Sequence, residues 1–396
     1  MKTAVWLYLF SFVAVFDLHA QYPILTPFAV SIGAAPSFIG LMMGMYSITH
    51  LPGNLIAGYG IDRYGSRVFI MLSLLLAGGI LLLQSRVTDP WQLLTLRSIS
   101  GFVLAFLSPA CMSLLAKLTD DQVQQGKLMA GNGLVHTLAS VVSPAAGALL
   151  VARIGFEQAF FALGWILIAT AICAFIFIRD KQASDDEAAA SPHEQQDLAA
   201  EQAVDAPTAA PEVRLPWLVY VLPIAMACSQ GILSFELPLI AHEGNGVLTT
   251  GLLFSAISLG GLVTLSLLFL NSLSPFLRSL WGAFALAIAF FAVAVELPVP
   301  LAWLLLFIGM AKGIIYPALS SLLIQLSGGS KYGRTFSILS IAFSVGAFLG
   351  PMLAGQVRDY VSPYYIAFIV LMIAVLVLPF TNKRRTSPQR PILHHD

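Results

Sequence analysis

Four ionisable side chains stand inside stretches that are otherwise apolar: Asp17, Arg97, Glu236 and Lys312. A charge at the centre of a bilayer costs roughly 2.5–3.5 kcal/mol even on the mildest scale, so such residues face a wet cavity or a partner. Two acids and two bases so placed can move a proton or hold a charged small molecule. A carboxylate in a low-dielectric site loads and unloads a proton near neutral pH. Asp17 therefore admits three roles: proton carrier, substrate contact or member of a structural pair. Lys312 also admits three: anchor for an anionic substrate group, counter-ion for Asp17, or a chain that snorkels to the interface. Uncharged polar groups with reach lie nearby. Gln21 shares the helical face of Asp17 at i+4, and Tyr316 stands four residues after Lys312. Tyr22, Gln230 and His136 complete the candidate pocket. His19 is two residues from Asp17 on another face, so a direct Asp–His relay is not expected. The ordinary role of lone membrane histidines such as His19, His50 and His136 is packing or a helix–helix hydrogen bond. Asn132, four residues before His136, also has the reach to enter a cavity.

Nothing in the chain suggests an enzyme. It has no credible nucleophile or metal set, and Cys111, Cys173 and Cys228 lack metal or disulfide spacing. They read as small apolar packing residues. Neither a metal nor a cofactor is expected. A formal net charge of zero argues against a nucleic-acid partner.

The elements that carry these side chains follow from composition. The 396 residues are 58% hydrophobic with a mean hydropathy of +0.85, outside the range of soluble domains. A helix needs about 20 mostly apolar residues to cross the hydrocarbon. Twelve such runs are legible, at 5–29, 37–58, 68–85, 91–116, 128–151, 158–178, 215–240, 248–271, 279–296, 301–325, 335–356 and 364–380. Their lengths favour helices over barrel strands of about ten residues. At about 1.5 Å per residue, Lys312 lies about 16 Å in from Leu301 and Asp17 at similar depth, while Arg97 is only about 9 Å from Trp91. Glu236 lies near the outer end of the seventh run. The N-terminal run has a signal-peptide look, but Leu18 is too large for a cleavage site and Asp17 interrupts the run. A retained first helix is expected.

With both termini inside, fifteen lysines and arginines fall on the cytoplasmic side against three, Arg86, Arg153 and Arg358, outside. That asymmetry sets the expected orientation in a cell (inner or plasma) membrane. Gln182–Pro211 is rich in Ala, Gln, Asp and Glu and has too little apolar content to pack. The expected organisation is a six-helix bundle over 1–179, a flexible acidic cytoplasmic linker over 180–214, a second six-helix bundle over 215–381 and a tail over 382–396. The halves are internally related. Ser108–Leu118 aligns with Tyr316–Leu326 at an offset of 208 with six of eleven positions identical, and Pro144 and Gly147 align with Pro351 and Gly355 at 207 and 208. Parallel repeats about an axis along the membrane normal account for such an offset.

One hydrophilic cluster interrupts the apolar pattern, Gly58-Tyr-Gly-Ile-Asp62-Arg63-Tyr-Gly65-Ser-Arg67. Gly60 and Gly65 allow a sharp turn, Gly58 allows close helix contact, and the arginines anchor the interface. This pattern, G-x-x-x-D-R-x-G-x-R between the second and third helices, resembles the corresponding loop of the major facilitator superfamily of secondary transporters. The base usual after Arg67 is Val68 here, and the second-half counterpart around Leu270–Arg278 has lost the motif. The resemblance implies an all-α membrane fold of twelve helices in two pseudo-symmetric bundles, with helices 1, 4, 7 and 10 lining a central cavity. It implies that Gly58, Asp62, Arg63, Gly65 and Arg67 act as a conformational latch between the halves. Arg97-Ser-Ile-Ser-Gly101 resembles the superfamily's R-x-x-x-G fourth-helix motif associated with proton coupling, the alternative being a structural ion pair. Ser143-Pro144-Ala-Ala-Gly147 resembles, with a glycine replaced at each end, the proline-glycine motif of the drug:proton antiporter branch. Pro144, Gly147, Gly350 and Pro351 are expected to bend and pack helices.

The function that follows is a monomeric secondary transporter working by alternating access. It would couple efflux of a small amphipathic organic molecule to protons through Asp17, Arg97 and Glu236. Its binding residues would be Asp17, Gln21, Tyr22, His136, Gln230, Lys312 and Tyr316. Uptake of a small organic anion by symport, and transport of a lipid or lysolipid, remain alternatives.

Overall fold

A computed structural model describes residues 2–119, 121–177, 217–242, 246–267, 273–326 and 332–378. The acidic linker and the C-terminal tail lie outside the described residues. Every span read from the sequence is occupied by helix. The first is α1 (Lys2–Ala20) and α2 (Tyr22–Ser31). They break at Gln21 because Pro23 has no N–H to give to the carbonyl of His19. Span 2 is α3 (Pro36–Tyr64) and span 3 is α4 (Ser66–Gln84); Gly65 between them has φ 85°, a conformation that favours glycine. Span 4 is α5 (Pro90–Leu104) and α6 (Leu107–Ala116).

The helix α7 (Gln122–Phe177) contains two spans. Straight, its 56 residues would run about 84 Å, nearly three hydrocarbon thicknesses. The chain turns at Gly155, where φ is 81°. The second half runs through α8 (Val221–His242), α9 (Gly246–Ser266), α10 (Pro275–Ala294), α11 (Leu301–Leu326), α12 (Tyr332–Val357) and α13 (Pro363–Val377).

The pairing inside each half is the same. Span 1 packs on 5, 2 on 4 and 3 on 6; in the second half 7 packs on 11, 8 on 10 and 9 on 12. Lipid tails are as apolar as leucine, so burial from water does not drive these contacts. Small residues that bring backbones together do. A Cβ on Gly147 would strike Ala20, and one on Gly78 would strike Ile168. The repeat extends further than the sequence comparison found. Gly53 and Gly101 form the crossing of spans 2 and 4, and Gly261 and Gly309, each 208 positions later, form the crossing of spans 8 and 10. Large apolar side chains such as Leu72, Leu76, Trp165, Trp281 and Phe307 face outward, where hydrocarbon would be their solvent.

The two bundles meet through α3 with α12, through the first half of α7 with α9, and through α2 with α8. These contacts gather at the end away from the Gly65 turn. There a Cβ on Gly355 would lie 2.6 Å from Pro36 O, and one on Gly44 2.9 Å from Phe348 O. Gly251 similarly abuts Pro144. At the end rich in lysine and arginine the bundles part. A cavity of about 410 Å³ there separates Tyr46, Ser47 and His50 of α3 from Leu339, Ser340 and Phe343 of α12. The bundles thus touch at the end away from the Gly65 turn and are separated by this cavity on the Gly65 side of those contacts.

Candidate functional site

Asp17 sits in the last turn of α1, and the break after it places Gln21 against span 4. Gln21 Nε2 donates to Asp17 Oδ2 at 2.9 Å, while Arg97 Nη1 donates to Gln21 Oε1 at 2.8 Å. One amide thus serves acid and base together, and all three side chains are buried. Arg97 also lies over the Tyr46 ring, 4.5 Å from its centroid; a cation on an aromatic face gains about 2 kcal/mol when desolvated. Tyr46 in turn lines the open cavity. It is the wall between that cavity and the buried pair. Asp17 Oδ1 and Arg97 Nε, both buried, make no hydrogen bond among the described residues.

The second half repeats the device with different residues. Lys312 of α11, in span 10, donates through Nζ to Gln230 Oε1 of α8, in span 7. The counter-ion role for Lys312 is therefore not what the geometry gives: Asp17 is engaged by Gln21, and Lys312 by Gln230. Both cations are held by glutamines on the neighbouring cavity helix.

Between the bundles, Lys312, Gln230, Tyr316, Tyr22, His19 and Ser258 form the polar lining of a cavity of about 170 Å³. Pro144, Phe254 and Ile257 supply its apolar wall. His19 Nδ1 lies 3.0 Å from Val15 O. A carbonyl only accepts, so Nδ1 carries the hydrogen and Nε2 of the neutral ring is an acceptor. His136 stands with its ring centroid 6.2 Å from that of His19.

The remaining expected residues lie apart from this centre. Glu236 Oε1 faces Arg358 Nη2 at 3.6 Å, near the end where the bundles touch. It is separated from Asp17 and belongs to the second bundle. Arg63 bonds Tyr59 Oη at 3.1 Å, and Arg67 bonds the carbonyl of Phe175 at 2.6 Å, both inside the first bundle. Gly58 and Asp62 fall in the last two turns of α3. Pro144, Gly147, Gly350 and Pro351 all sit at close helix contacts. Gly147 meets Ala20 of span 1, Gly350 meets Cys228 of span 7, and Pro351 meets Gly231 as well as Gly40 across the bundle boundary. Sequence reasoning missed Tyr46, Phe254 and Ser258. None is charged, so none stands out against its apolar run as Asp17, Arg97 and Lys312 do. The aromatic spacing offered no signal that would single out Tyr46.

Twelve apolar helical spans among the described residues, in two like bundles around a central cavity with a buried acid and base beside it, define a multi-pass membrane carrier. The sequence matches the description "Major Facilitator Superfamily" over residues 7–296 and 275–394, and the chain belongs to that superfamily. It is a transporter and not an enzyme. Multidrug resistance protein MdtG of Yersinia enterocolitica is 25% identical over 355 residues, 84% of this chain and 80% of that protein. MdtG of Salmonella arizonae is 26% identical over 380 residues, 90% of this chain and 88% of that one. An uncharacterised MFS-type transporter of Methanocaldococcus jannaschii is 25% identical over 158 residues, and the match spans 41% of its length. Solved folds agree. A peptide transporter in complex with sulfate superposes with a TM-score of 0.78 at 13% identity, over 97% of this chain and 94% of that one. A D-xylose–proton symporter gives 0.71 at 14%, over 96% and 97%.

Proposed function

We propose that this transporter exports a small amphipathic organic molecule in exchange for protons. It would do so by alternating access, from a cell (inner) membrane in which both termini face the cytoplasm. The observation that carries the reading is Asp17: a buried carboxylate with Oδ2 held by Gln21 and Oδ1 left unserved. Oδ1 is where a proton binds. Protonation cancels the negative charge that Gln21 transmits to Arg97, so the amide's hold on the guanidinium weakens. Arg97 is then left to its contact with Tyr46, at the wall of the open cavity. A charge change at one carboxyl is thereby coupled to the packing of spans 1, 2 and 4. The relatives named for multidrug resistance support export of amphipathic cargo over uptake.

In this orientation the open cavity faces the cytoplasm and the sealed end faces outward. The cluster from Gly58 to Arg67 lies on the open side, where it would engage the second bundle once that side closes. The linker over 180–214 would tether bundles 1–179 and 215–381 while they rock. The test uses proteoliposomes loaded with a fluorescent amphipathic dye under an imposed pH gradient. Asp17→Asn is expected to abolish gradient-driven flux while leaving dye binding. Undiminished gradient-driven flux in Asp17→Asn would exclude Asp17 as the coupling site.

A further inference from the structure

The buried charges do not balance at the centre of the molecule. Asp17 and Arg97 share Gln21, and Glu236 is matched by Arg358. Lys312 is left over. Its ammonium has three hydrogens, and Gln230 takes one of them. No salt bridge to Lys312 exists among the described residues. The remaining donors belong to a residue that lines the 170 Å³ cavity together with Phe254 and Ile257. The other polar groups of this cavity, the hydroxyls of Tyr22, Tyr316 and Ser258 and the Nε2 of neutral His19, can accept a hydrogen bond but carry no negative charge, and no carboxylate lines the cavity. An uncompensated cation in a low-dielectric cavity is costly until an anion arrives, and the neighbouring apolar wall suits a ring or branched chain. The volume is below the roughly 300–1,000 Å³ of sites for drug-sized ligands.

From this we infer that the central cavity is a carboxylate site, in which Lys312 pairs with the acid group of a small organic anion and Phe254 and Ile257 cover its apolar body. The inference rests on the transport reading above and narrows its cargo from amphipathic molecules in general to small monocarboxylates. Gln230 is a positioning residue: it fixes the ammonium against the cavity without itself supplying charge.

Three probes of one shape decide it: benzoate, neutral benzamide and cationic benzylamine, each titrated by calorimetry onto the purified full chain with no proton gradient. Benzoate is expected to bind at least tenfold tighter than either of the others. Lys312→Met should weaken benzoate at least tenfold, and Lys312→Arg should keep it within about threefold. Gln230→Glu provides a variant of nearly unchanged volume that supplies an internal carboxylate to Lys312; benzoate binding should fall by the same factor as in Lys312→Met. Equal affinity for benzamide or benzylamine, absence of benzoate binding to the wild type, or unchanged benzoate affinity in Gln230→Glu overturns the inference. Binding is read without flux. Failure of Asp17 to couple transport would leave benzoate binding intact, and failure of the carboxylate site would leave the Asp17→Asn result intact.

Discussion

Gln21 joins the two buried charges of the first bundle, although it carries none itself. Its amide donates to Asp17 from one end and accepts from Arg97 at the other. Replacing it by leucine keeps the volume and strips both contacts. Each buried group left without a partner costs about 1–3 kcal/mol, more when charged. Gln21→Leu is therefore expected to lower the unfolding midpoint measurably and to cut gradient-driven flux at least tenfold. Unaltered flux in proteoliposomes would show that the amide does not connect the two charges. Tyr46 offers a finer test. The attraction of its ring for Arg97 needs an aromatic face and no hydroxyl. Tyr46→Phe should retain most of the flux, and Tyr46→Leu should lose severalfold; equal loss in both would assign the role to the hydroxyl instead. At this scale the sequence was partly legible. A charge in an apolar run announces itself, so Asp17, Arg97 and Lys312 stood out, and Gln21 followed from i+4 spacing. Which amide takes which cation is a matter of where two helices cross, and no local pattern encodes that.

Elements meet through glycine. In α11, Gly309 lies against the carbonyl of Ile257 and the backbone of Gly261, so an added methyl has nowhere to go. Overpacking of this kind costs about 1–3 kcal/mol. In α4, Gly79 has nothing within 4 Å of a built Cβ, and alanine there recovers roughly 0.5–1 kcal/mol of helix propensity. Gly309→Ala should lower the thermal midpoint by several degrees while Gly79→Ala leaves it unchanged or raises it, read by thermal unfolding of the purified protein. A fall of the same size in both variants would mean that helix flexibility, and not close approach, is what glycine provides. The twelve helical spans were readable from length and polarity alone, since no water exists in the hydrocarbon to satisfy an open backbone. The breaks were not. Gln21 and Ala105–Phe106 interrupt spans 1 and 4 inside runs read as single helices, although Pro23 and Pro109 follow them. The repeat of Gly53 and Gly101 at Gly261 and Gly309 escaped notice because one glycine per span is too few to align without knowing the crossings.

For the whole molecule, the proposed alternating-access cycle makes the seal at one end and the opening at the other two faces of a single equilibrium. The seal depends on Gly44 accepting Phe348 and Gly355 accepting Pro36. A larger side chain at Gly44 destabilises that closed end and leaves the opposite arrangement, open there and shut at the basic end, at a relative advantage. A bias of about 1.4 kcal/mol moves such an equilibrium tenfold, well within what overpacking supplies. Ser340 faces the 410 Å³ cavity at the basic end and reports the change when converted to cysteine. Of the native thiols, Cys111 and Cys228 are buried and Cys173 half-buried, so the unsubstituted parent sets the background. A membrane-impermeant maleimide should label Ser340→Cys in inside-out vesicles and spare it in right-side-out ones. Adding Gly44→Leu should reduce that labelling severalfold. Labelling from the right-side-out face would reverse the orientation drawn from the basic residues. Undiminished labelling in the double variant would mean that the seal between α3 and α12 does not govern access at the basic end.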